Sequence, residues 1–228
     1  MNTPAQKISI VMDDRSKKLF TSDTREITHR GAAFMRDLSE RHARCEFDNY
    51  EPPKGDGKTV FSGVKYLAGE IDQFVKEGRN MILFGTPGTG KDHLAVSLVK
   101  VAIRVLGVSA RSVNGMDFYS KAREAITKKE PENTLLRQYD SCTILIISDP
   151  IPDRRGLSGY NLELMYLLAN RRWERCLPTI VTCNCRTLAE MKKKLGGPLY
   201  NRLEDGAHIF KMSWESRRKP RQTFEGGK

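Results

Sequence analysis

The sequence predicts an α/β fold built on a parallel sheet of five strands with helices on both faces. The first observation behind this prediction is an alternation of short apolar runs with amphipathic segments over most of the 228 residues. Such runs are typical of strands that helices cover on both sides. The second observation is a glycine-rich turn between the first of these runs and a helix. Strand–turn–helix units of this kind are common phosphate-binding sites in α/β folds.

The chain begins with a polar and charge-rich stretch. Residues 1–45 show only weak periodicity, so we expect a short N-terminal arm and not a part of the core. The tract from Phe47 to Pro53, followed by Gly55 and Gly57, is typical of a structured linker. From Val60 onward, apolar residues recur at helical spacing, which predicts a helix that ends at Gly78.

Strands and helices then alternate. We predict strands at Met81–Phe84, Ala110–Val113, Thr143–Ile147, Thr179–Thr182 and Ile209–Met212. We predict helices at Lys91–Leu106, Asp117–Thr127, Leu162–Arg175 and Leu188–Leu195. These elements fit one domain at residues 46–220, and the remaining residues 221–228 are expected to form a flexible tail.

Composition limits the possible functions. The net charge is +11, and basic residues cluster at 128–129, 171–172, 192–194 and 217–221. This surplus indicates a polyanionic partner, most often nucleic acid. The five cysteines form no C-x-x-C pair, which argues against a metal site or a disulfide framework. No apolar run reaches the roughly 20 residues of a membrane span, and residues 1–10 lack the apolar core of a signal peptide. We therefore expect a cytoplasmic protein without a membrane partner.

The glycine-rich turn has the Gly-x4-Gly-Lys spacing of a phosphate-binding P-loop. The turn and the start of its helix comprise Gly85, Thr86, Pro87, Gly88, Thr89, Gly90, Lys91, Asp92 and His93. Glycines allow a tight turn whose N–H groups point at one phosphate, and the helix dipole adds its positive end. Lys91 would supply a full charge to the outer phosphates. We therefore predict a nucleoside triphosphate site.

The position after the P-loop lysine departs from the pattern. Asp92 stands where a serine or threonine hydroxyl would bind Mg²⁺. A carboxylate is also a hard oxygen donor, so we expect Asp92 to be a magnesium ligand. It would add repulsion towards the phosphates, and nucleotide affinity should then depend strongly on Mg²⁺.

A second departure follows the apolar strand before Pro150. An ATPase of this kind needs one acidic residue there for the metal and another for the attacking water. In one register, Ser148 takes the metal-side position and Asp149 the catalytic one; in the other, Asp149 takes the metal side and Pro150 leaves no catalytic carboxylate. The count of four apolar residues slightly favours the first register. In both, one carboxylate does the work of two. Asn184, after the next strand, is a candidate for positioning a water near the γ-phosphate.

The order of several tracts resembles the AAA+ ATPases of the DnaC/IstB type, which are helicase loaders and transposition helper ATPases. The likeness covers about residues 45–220. The tracts that carry it are Phe47-Asp48-Asn49-Tyr50, the P-loop with Lys91-Asp92-His93-Leu94-Ala95, the Asp149 strand, Asn170-Arg171-Arg172-Trp173-Glu174, Pro178 to Asn184, Leu195-Gly196-Gly197, Tyr200-Asn201-Arg202-Leu203 and Trp214-Glu215-Ser216-Arg217-Arg218.

The resemblance implies roles for individual residues. Asn184 matches the sensor-1 position, and Arg202 matches an arginine finger that reaches the γ-phosphate bound by a neighbouring subunit. Either Arg217 or Arg218 falls near the sensor-2 arginine. Phe47 and Tyr50 match the tract that leads into the nucleotide pocket.

The same resemblance implies a function. We expect an ATP-dependent loader of a replicative, DnaB-like helicase that forms a homo-oligomer on ATP binding and contacts single-stranded DNA. ATP and Mg²⁺ would be its cofactors, and the two departures predict slow hydrolysis with intact binding. One alternative is an IstB-like transposition helper ATPase that assembles on duplex DNA. Another is a degenerate ATP-binding scaffold with little or no turnover.

Overall fold

The computed structural model describes residues 19–129, 131–151, 156–157 and 159–218. Its strands are β1 Met81–Gly85, β2 Ala110–Asn114, β3 Ile144–Ser148, β4 Thr179–Cys183 and β5 His208–Met212. Its α-helices are α1 Thr24–Arg36, α2 Glu40–Ala43, α3 Asp56–Gly69, α4 Ile71–Glu77, α5 Lys91–Leu106, α6 Gly115–Thr127, α7 Glu132–Asp140, α8 Gly159–Glu174, α9 Leu188–Leu195 and α10 Gly197–Glu204, and a 3₁₀ turn spans Phe47–Asn49.

The five strands form one parallel sheet in the order β2-β3-β4-β1-β5, which confirms the predicted fold class. The parallel register sets Ser148 at the end of β3 beside Thr182 of β4. Since β1 pairs with β4, the end of β1 lies at the same edge. Ligands in open α/β sheets bind beyond this carboxyl edge.

Helices cover both faces of the sheet because successive strand residues point to opposite sides. On one face, Leu83 and Ile146 pack with α1, α3, α4 and α5. On the other, Ile82 and Leu145 pack with α6 to α10. Two separate apolar cores therefore lie on the two faces of the sheet.

Most predicted elements are present, with differences at their ends. Each predicted strand agrees with the structure to within one residue at both bounds. The predicted helix from Val60 to Gly78 is two helices, α3 and α4, separated at Glu70, and Gly78 ends the second with a left-handed φ of 66°. Helices α7 and α10 were not predicted; they are short, with nine and eight residues.

The described part of the predicted arm packs on the domain. Phe34 of α1 is fully buried in the first core, and Asp37 accepts from Arg111 Nε of β2 at 2.6 Å. Residues 24–45 thus contribute to the core, which the weak periodicity of this stretch did not reveal. Residues 1–18 and the predicted tail at 221–228 lie outside the described residues, and the domain boundaries at 45 and 220 stay predictions.

No helix within the described ranges has the length and apolar character that a bilayer crossing requires.

Candidate nucleotide-binding site

The P-loop joins β1 to α5 at the carboxyl edge of the sheet. Gly85, Gly88 and Gly90 have φ values of 142°, 81° and 95°, which side chains rarely tolerate. A Cβ atom at Gly85 would collide with the carbonyl of Met212, and one at Gly90 with the ring of Tyr50. The glycines are therefore required by both the turn and the close packing around it.

Lys91 is the first residue of α5 and its side chain folds back into the loop. Its Nζ donates to the carbonyl oxygen of Thr86 at 2.8 Å and lies 3.4 Å from that of Gly85. Burial lowers the pKa of the Lys91 ammonium, while the carboxylates of Asp149 and Asp92 act to raise it. A phosphate group would favour the charged form in the same way.

One cavity of about 480 Å³ collects most of the predicted site residues. Its lining includes Gly88, Gly90, Lys91, Asp92, His93, Asp149, Asn184, Arg217 and Arg218. The lining also includes Ser39, Arg41, His42 and Cys45, which were not predicted because they lie before the tract that carries the resemblance. The sequence signal near them is Ser39, which is the N-cap of α2; its hydroxyl accepts from the His42 N–H at 3.3 Å.

Phe47 and Tyr50 form the wall behind the P-loop. The Tyr50 hydroxyl donates to the Thr89 carbonyl at 3.1 Å, and its ring stacks on Phe61 at 5.5 Å. Phe47 meets the same Phe61 ring edge-on. Burial raises the pKa of Tyr50 to about 12, so this hydroxyl stays a donor. Both aromatics support the loop from behind, and their predicted contact with the nucleotide stays a prediction.

The tract after β5 closes the other side of the loop. The Trp214 indole N–H donates to the Thr89 carbonyl at 3.2 Å. The backbone N–H of Arg217 donates to the Gly88 carbonyl at 2.9 Å, and its guanidinium lies 5.9 Å from the Tyr50 ring. Arg217 and Arg218 thus lie beside the P-loop, with the Arg217 guanidinium donating to Glu51 Oε2 at 3.2 Å, and the sensor-2 role stays a prediction. Residues 219–221 of the predicted basic run lie outside the described residues.

Asp92 is held by two hydroxyl groups. Its Oδ1 accepts from Ser148 Oγ at 2.8 Å and from Thr182 Oγ1 at 2.6 Å. Thr182 was not predicted as a site residue, although its parallel pairing with Ser148 could have indicated it. The predicted metal-side residues Asp92 and Ser148 are therefore in direct contact.

Asp149 is held by a different partner. It has a left-handed φ of 46°, and its carboxylate accepts from the backbone N–H of Asn184 at 3.2 Å and from Asn184 Nδ2 at 2.5 Å. Burial is the main cause that raises the pKa of Asp149, and the charge of Asp92 raises it further. The two predicted catalytic groups, Asp149 and Asn184, are thus paired at the mouth of the cavity.

These donors suit a magnesium ion. Two carboxylates and two hydroxyls are hard oxygen ligands, which Mg²⁺ prefers, and it usually takes only one or two carboxylates from the protein besides phosphate oxygens. Within the described ranges, no group of three or more acidic, histidine or cysteine side chains could hold a metal. The residues fit a metal shared with a nucleotide better than a site made by the protein alone.

Arg202 lies away from the cavity of its own chain. Its guanidinium lies 4.0 Å from the centre of the Trp173 ring, and its Nε donates to Asn170 Oδ1 at 2.8 Å. Trp173 in turn donates to Asp205 Oδ2 at 2.7 Å and keeps 38% of its surface exposed. This arrangement holds the arginine on the surface, away from the nucleotide site of the same subunit.

The predicted basic cluster at 171–172 is not a solvent-exposed surface. Arg172 is fully buried and donates to the carbonyl oxygens of Tyr139, Cys142, Thr143 and Pro178. Arg171 pairs with Asp140 at 3.3 Å. The indication of nucleic acid from this cluster was therefore wrong, because Arg171 joins α8 to α7 and Arg172 joins α8 to α7 and to the segments that lead into β3 and β4.

The comparisons with known proteins agree with this geometry. The family model described as IstB-like ATP binding protein matches residues 23–224. The replicative helicase loader DnaC of Escherichia coli K12 is 25% identical over 182 residues, which cover 78% of this chain and 70% of that protein.

Two solved structures share the fold. The crystal structure of the DnaC helicase loader matches with a TM-score of 0.69 at 19% identity, over 77% of this chain and all of that one. The replication initiator DnaA bound to AMPPCP and single-stranded DNA matches with a TM-score of 0.62 at 18% identity, over 78% of this chain and 51% of that one. With the P-loop, the five-stranded sheet and the family match over 202 residues in agreement, the chain belongs to the IstB-like ATP-binding proteins, a family of AAA+ fold.

Proposed function

We propose that the protein is an ATP-dependent loader of a replicative DNA helicase that acts in the cytoplasm. The observation that carries this proposal is the gathering of Lys91, Asp92, Asp149 and Arg217 around one cavity in an IstB-like chain. A relative that spans a similar fold is named a replicative helicase loader. The sequence tracts of the DnaC branch give the same assignment.

The proposed loader works as an ATP-driven homo-oligomer. Arg202 lies outside its own cavity, so it would act on the γ-phosphate held by a neighbouring subunit. Trp173 and Asn170 would be positioning residues, since a planar guanidinium stacked on an indole and bonded at Nε keeps one direction. The side of Arg202 that faces away from the ring would then meet the partner.

Hydrolysis is proposed to be slow. Asp149 would act on the attacking water as a general base, and Asn184 would orient both. An aspartate reaches less far than a glutamate, and hydrogen bonds from Asn184 to both of its carboxylate oxygens lower its basicity. Bound Mg²⁺ would neutralise charge on the phosphates. The ATP-held state would therefore persist until a partner or DNA alters the Asp149–Asn184 pair.

Contact with single-stranded DNA is proposed for the end of α9. Lys192 and Lys193 are exposed there, while Lys194 pairs with Glu190 at 2.7 Å. The DnaA relative of known structure is described with single-stranded DNA, which supports this partner. Binding would depend on backbone charge and not on base sequence.

The experiment uses the full chain with the purified hexameric replicative helicase of its host. Size-exclusion chromatography should show a complex that forms with ATP and Mg²⁺. The same mixture should transfer the helicase onto single-stranded DNA coated with its binding protein. The matched control is Lys91→Ala, which should abolish ATP-dependent transfer. Absence of both complex and transfer with the wild-type protein would reject the loader proposal.

The family description favours one second candidate. An IstB-like transposition helper would polymerise on long duplex DNA in the presence of ATP and would ignore the helicase. Sedimentation with long duplex DNA therefore separates the two proposals. A scaffold without turnover would bind ATP yet release no phosphate, with or without either partner.

A further inference from the structure

The metal side of the site contains the usual two kinds of donor in unusual positions. P-loop NTPases hold Mg²⁺ with a hydroxyl directly after the P-loop lysine and with an aspartate at the end of a neighbouring strand. Here the residue after Lys91 is Asp92, and the residue that ends β3 is Ser148. Each position carries the kind of group expected at the other.

The structure brings these two side chains into contact. Ser148 Oγ donates to Asp92 Oδ1 at 2.8 Å, although 56 residues separate them in sequence. Thr182 Oγ1 donates to the same oxygen at 2.6 Å and lies 3.4 Å from Ser148 Oγ. The carboxylate and the hydroxyl thus lie in one cluster at the foot of the P-loop, and only the chain segment that supplies each has changed.

We infer that the magnesium-binding carboxylate and hydroxyl have exchanged places between Ser148 and Asp92, and that Asp92 provides the metal-side charge of this site. The exchange leaves Asp149, bonded to Asn184, for the water side. This inference rests on the proposed nucleotide binding and deepens it.

The exchange has a consequence for binding. The carboxylate now lies in the first turn of α5, where the helix dipole stabilises negative charge. It also directly follows Lys91 and lines the same cavity. Without Mg²⁺ it repels the nucleotide, and with Mg²⁺ it attracts the ion. Nucleotide affinity should therefore rise steeply when Mg²⁺ is added.

The test is a double-mutant cycle on the binding of AMPPCP, measured by calorimetry in Mg²⁺ and in EDTA. The magnesium gain is the dissociation constant in EDTA divided by the dissociation constant in Mg²⁺. Asp92→Thr should lower this gain at least tenfold, because no metal-side carboxylate remains. Ser148→Asp should not raise the gain, since it sets two carboxylates in contact. The double variant Asp92→Thr with Ser148→Asp should return the gain to within about threefold of wild type.

Two single variants control the cycle. Asp92→Asn keeps an oxygen that can accept from Ser148 and Thr182, and it should lose the gain while staying folded. Asp72→Asn removes a carboxylate of α4 that pairs with Lys76 and does not line the cavity, and should leave the gain unchanged. If the double variant does not fold, the comparison of Asp92→Asn with Asp72→Asn decides the question.

Several outcomes would overturn the inference. A wild-type gain near one, a normal gain in Asp92→Asn, or a folded double variant as poor as Asp92→Thr would each show that Asp92 is not the metal-side carboxylate. Failure of the proposed nucleotide binding looks different, because the wild-type protein would then bind no AMPPCP under either condition.

Discussion

The phosphate half of the candidate site and its proposed metal half are built in different ways. The phosphate half consists of backbone, with glycines at φ of 142°, 81° and 95° and a single buried lysine. The metal half consists of side chains from α5, β3 and β4 that meet around Asp92. The first half follows the common P-loop pattern and the second departs from it. A P-loop made of backbone groups allows little change in sequence, because its conformation and close packing require particular residues. A side-chain donor can be supplied by any chain segment that reaches the same point.

The largest expected effect is on the rate of ATP hydrolysis and concerns Asp149, the proposed base for the attacking water. Asp149→Ala should lower the rate of ATP hydrolysis by about 10²- to 10⁴-fold, because the general base is lost. Affinity for AMPPCP should change much less, since the P-loop is intact. Single-turnover hydrolysis with radiolabelled ATP gives the rate, and Asp72→Asn serves as the control. An unchanged rate would mean that Asp149 does not act on the water.

The next effect lies in the phosphate half. Lys91→Ala should weaken ATP binding by well over tenfold, which corresponds to more than about 1.4 kcal/mol. The ammonium offsets phosphate charge that backbone dipoles alone leave unbalanced. Calorimetry measures the affinity, and Lys58→Ala, on the exposed side of α3, is the matched control. Unchanged affinity in Lys91→Ala would contradict the P-loop assignment.

Arg202 lies outside both halves, and its replacement should change ATP binding little but should clearly lower assembly and turnover. Arg202→Ala should leave ATP affinity of the single subunit intact and lower turnover of the oligomer at least about tenfold. Mixing it with Lys91→Ala should restore activity at mixed interfaces. Trp173→Phe should keep most of the activity that Trp173→Ala loses, since a ring still supports the guanidinium. If Arg202→Ala assembles and turns over as wild type does, the finger assignment is wrong.

Binding to single-stranded DNA should be modest and sensitive to salt. Replacing Lys192 and Lys193 by alanine should lower the slope of log affinity against log salt by about 1–2, equally for unrelated sequences. Fluorescence anisotropy at several salt concentrations measures the slope, with Lys58→Ala as control. A slope that does not change would place the DNA contact elsewhere.

The smallest effect concerns stability and pH. Burial and the charge of Asp92 raise the pKa of Asp149 above that of an unfolded aspartate. The fold therefore favours the protonated form, and this contribution is fully present below the unfolded pKa of about 4 and is lost as pH rises through the folded pKa. The free energy of unfolding of wild type, relative to Asp149→Asn, should thus increase as pH falls from 7 towards 4. Urea titrations at both pH values test the sign; a decrease would contradict it.

The sequence by itself determined the fold class and the phosphate half. Apolar runs and helical periodicity are local signals, so all five strands were predicted to within one residue, and α5 and α9 with both bounds. The P-loop was equally predictable, because its backbone has positive φ angles at three positions and therefore requires glycine there. The family resemblance then assigned roles to Arg202 and Asn184, and these roles stay predictions. Local signals were too weak for α7 and α10, and for Phe34, whose burial depends on the edge strand β2.

Only the tertiary structure decided the metal half. The side chain of Ser148 bonds to Asp92, and that contact joins residues far apart in sequence. Thr182 entered the site because parallel pairing sets it beside Ser148. Packing also decided the place of Arg172. This residue is not part of the basic surface, since its five N–H donors all bond within the domain. Charge and spacing in the sequence describe what a side chain can do, but packing between distant segments decides which partner it meets.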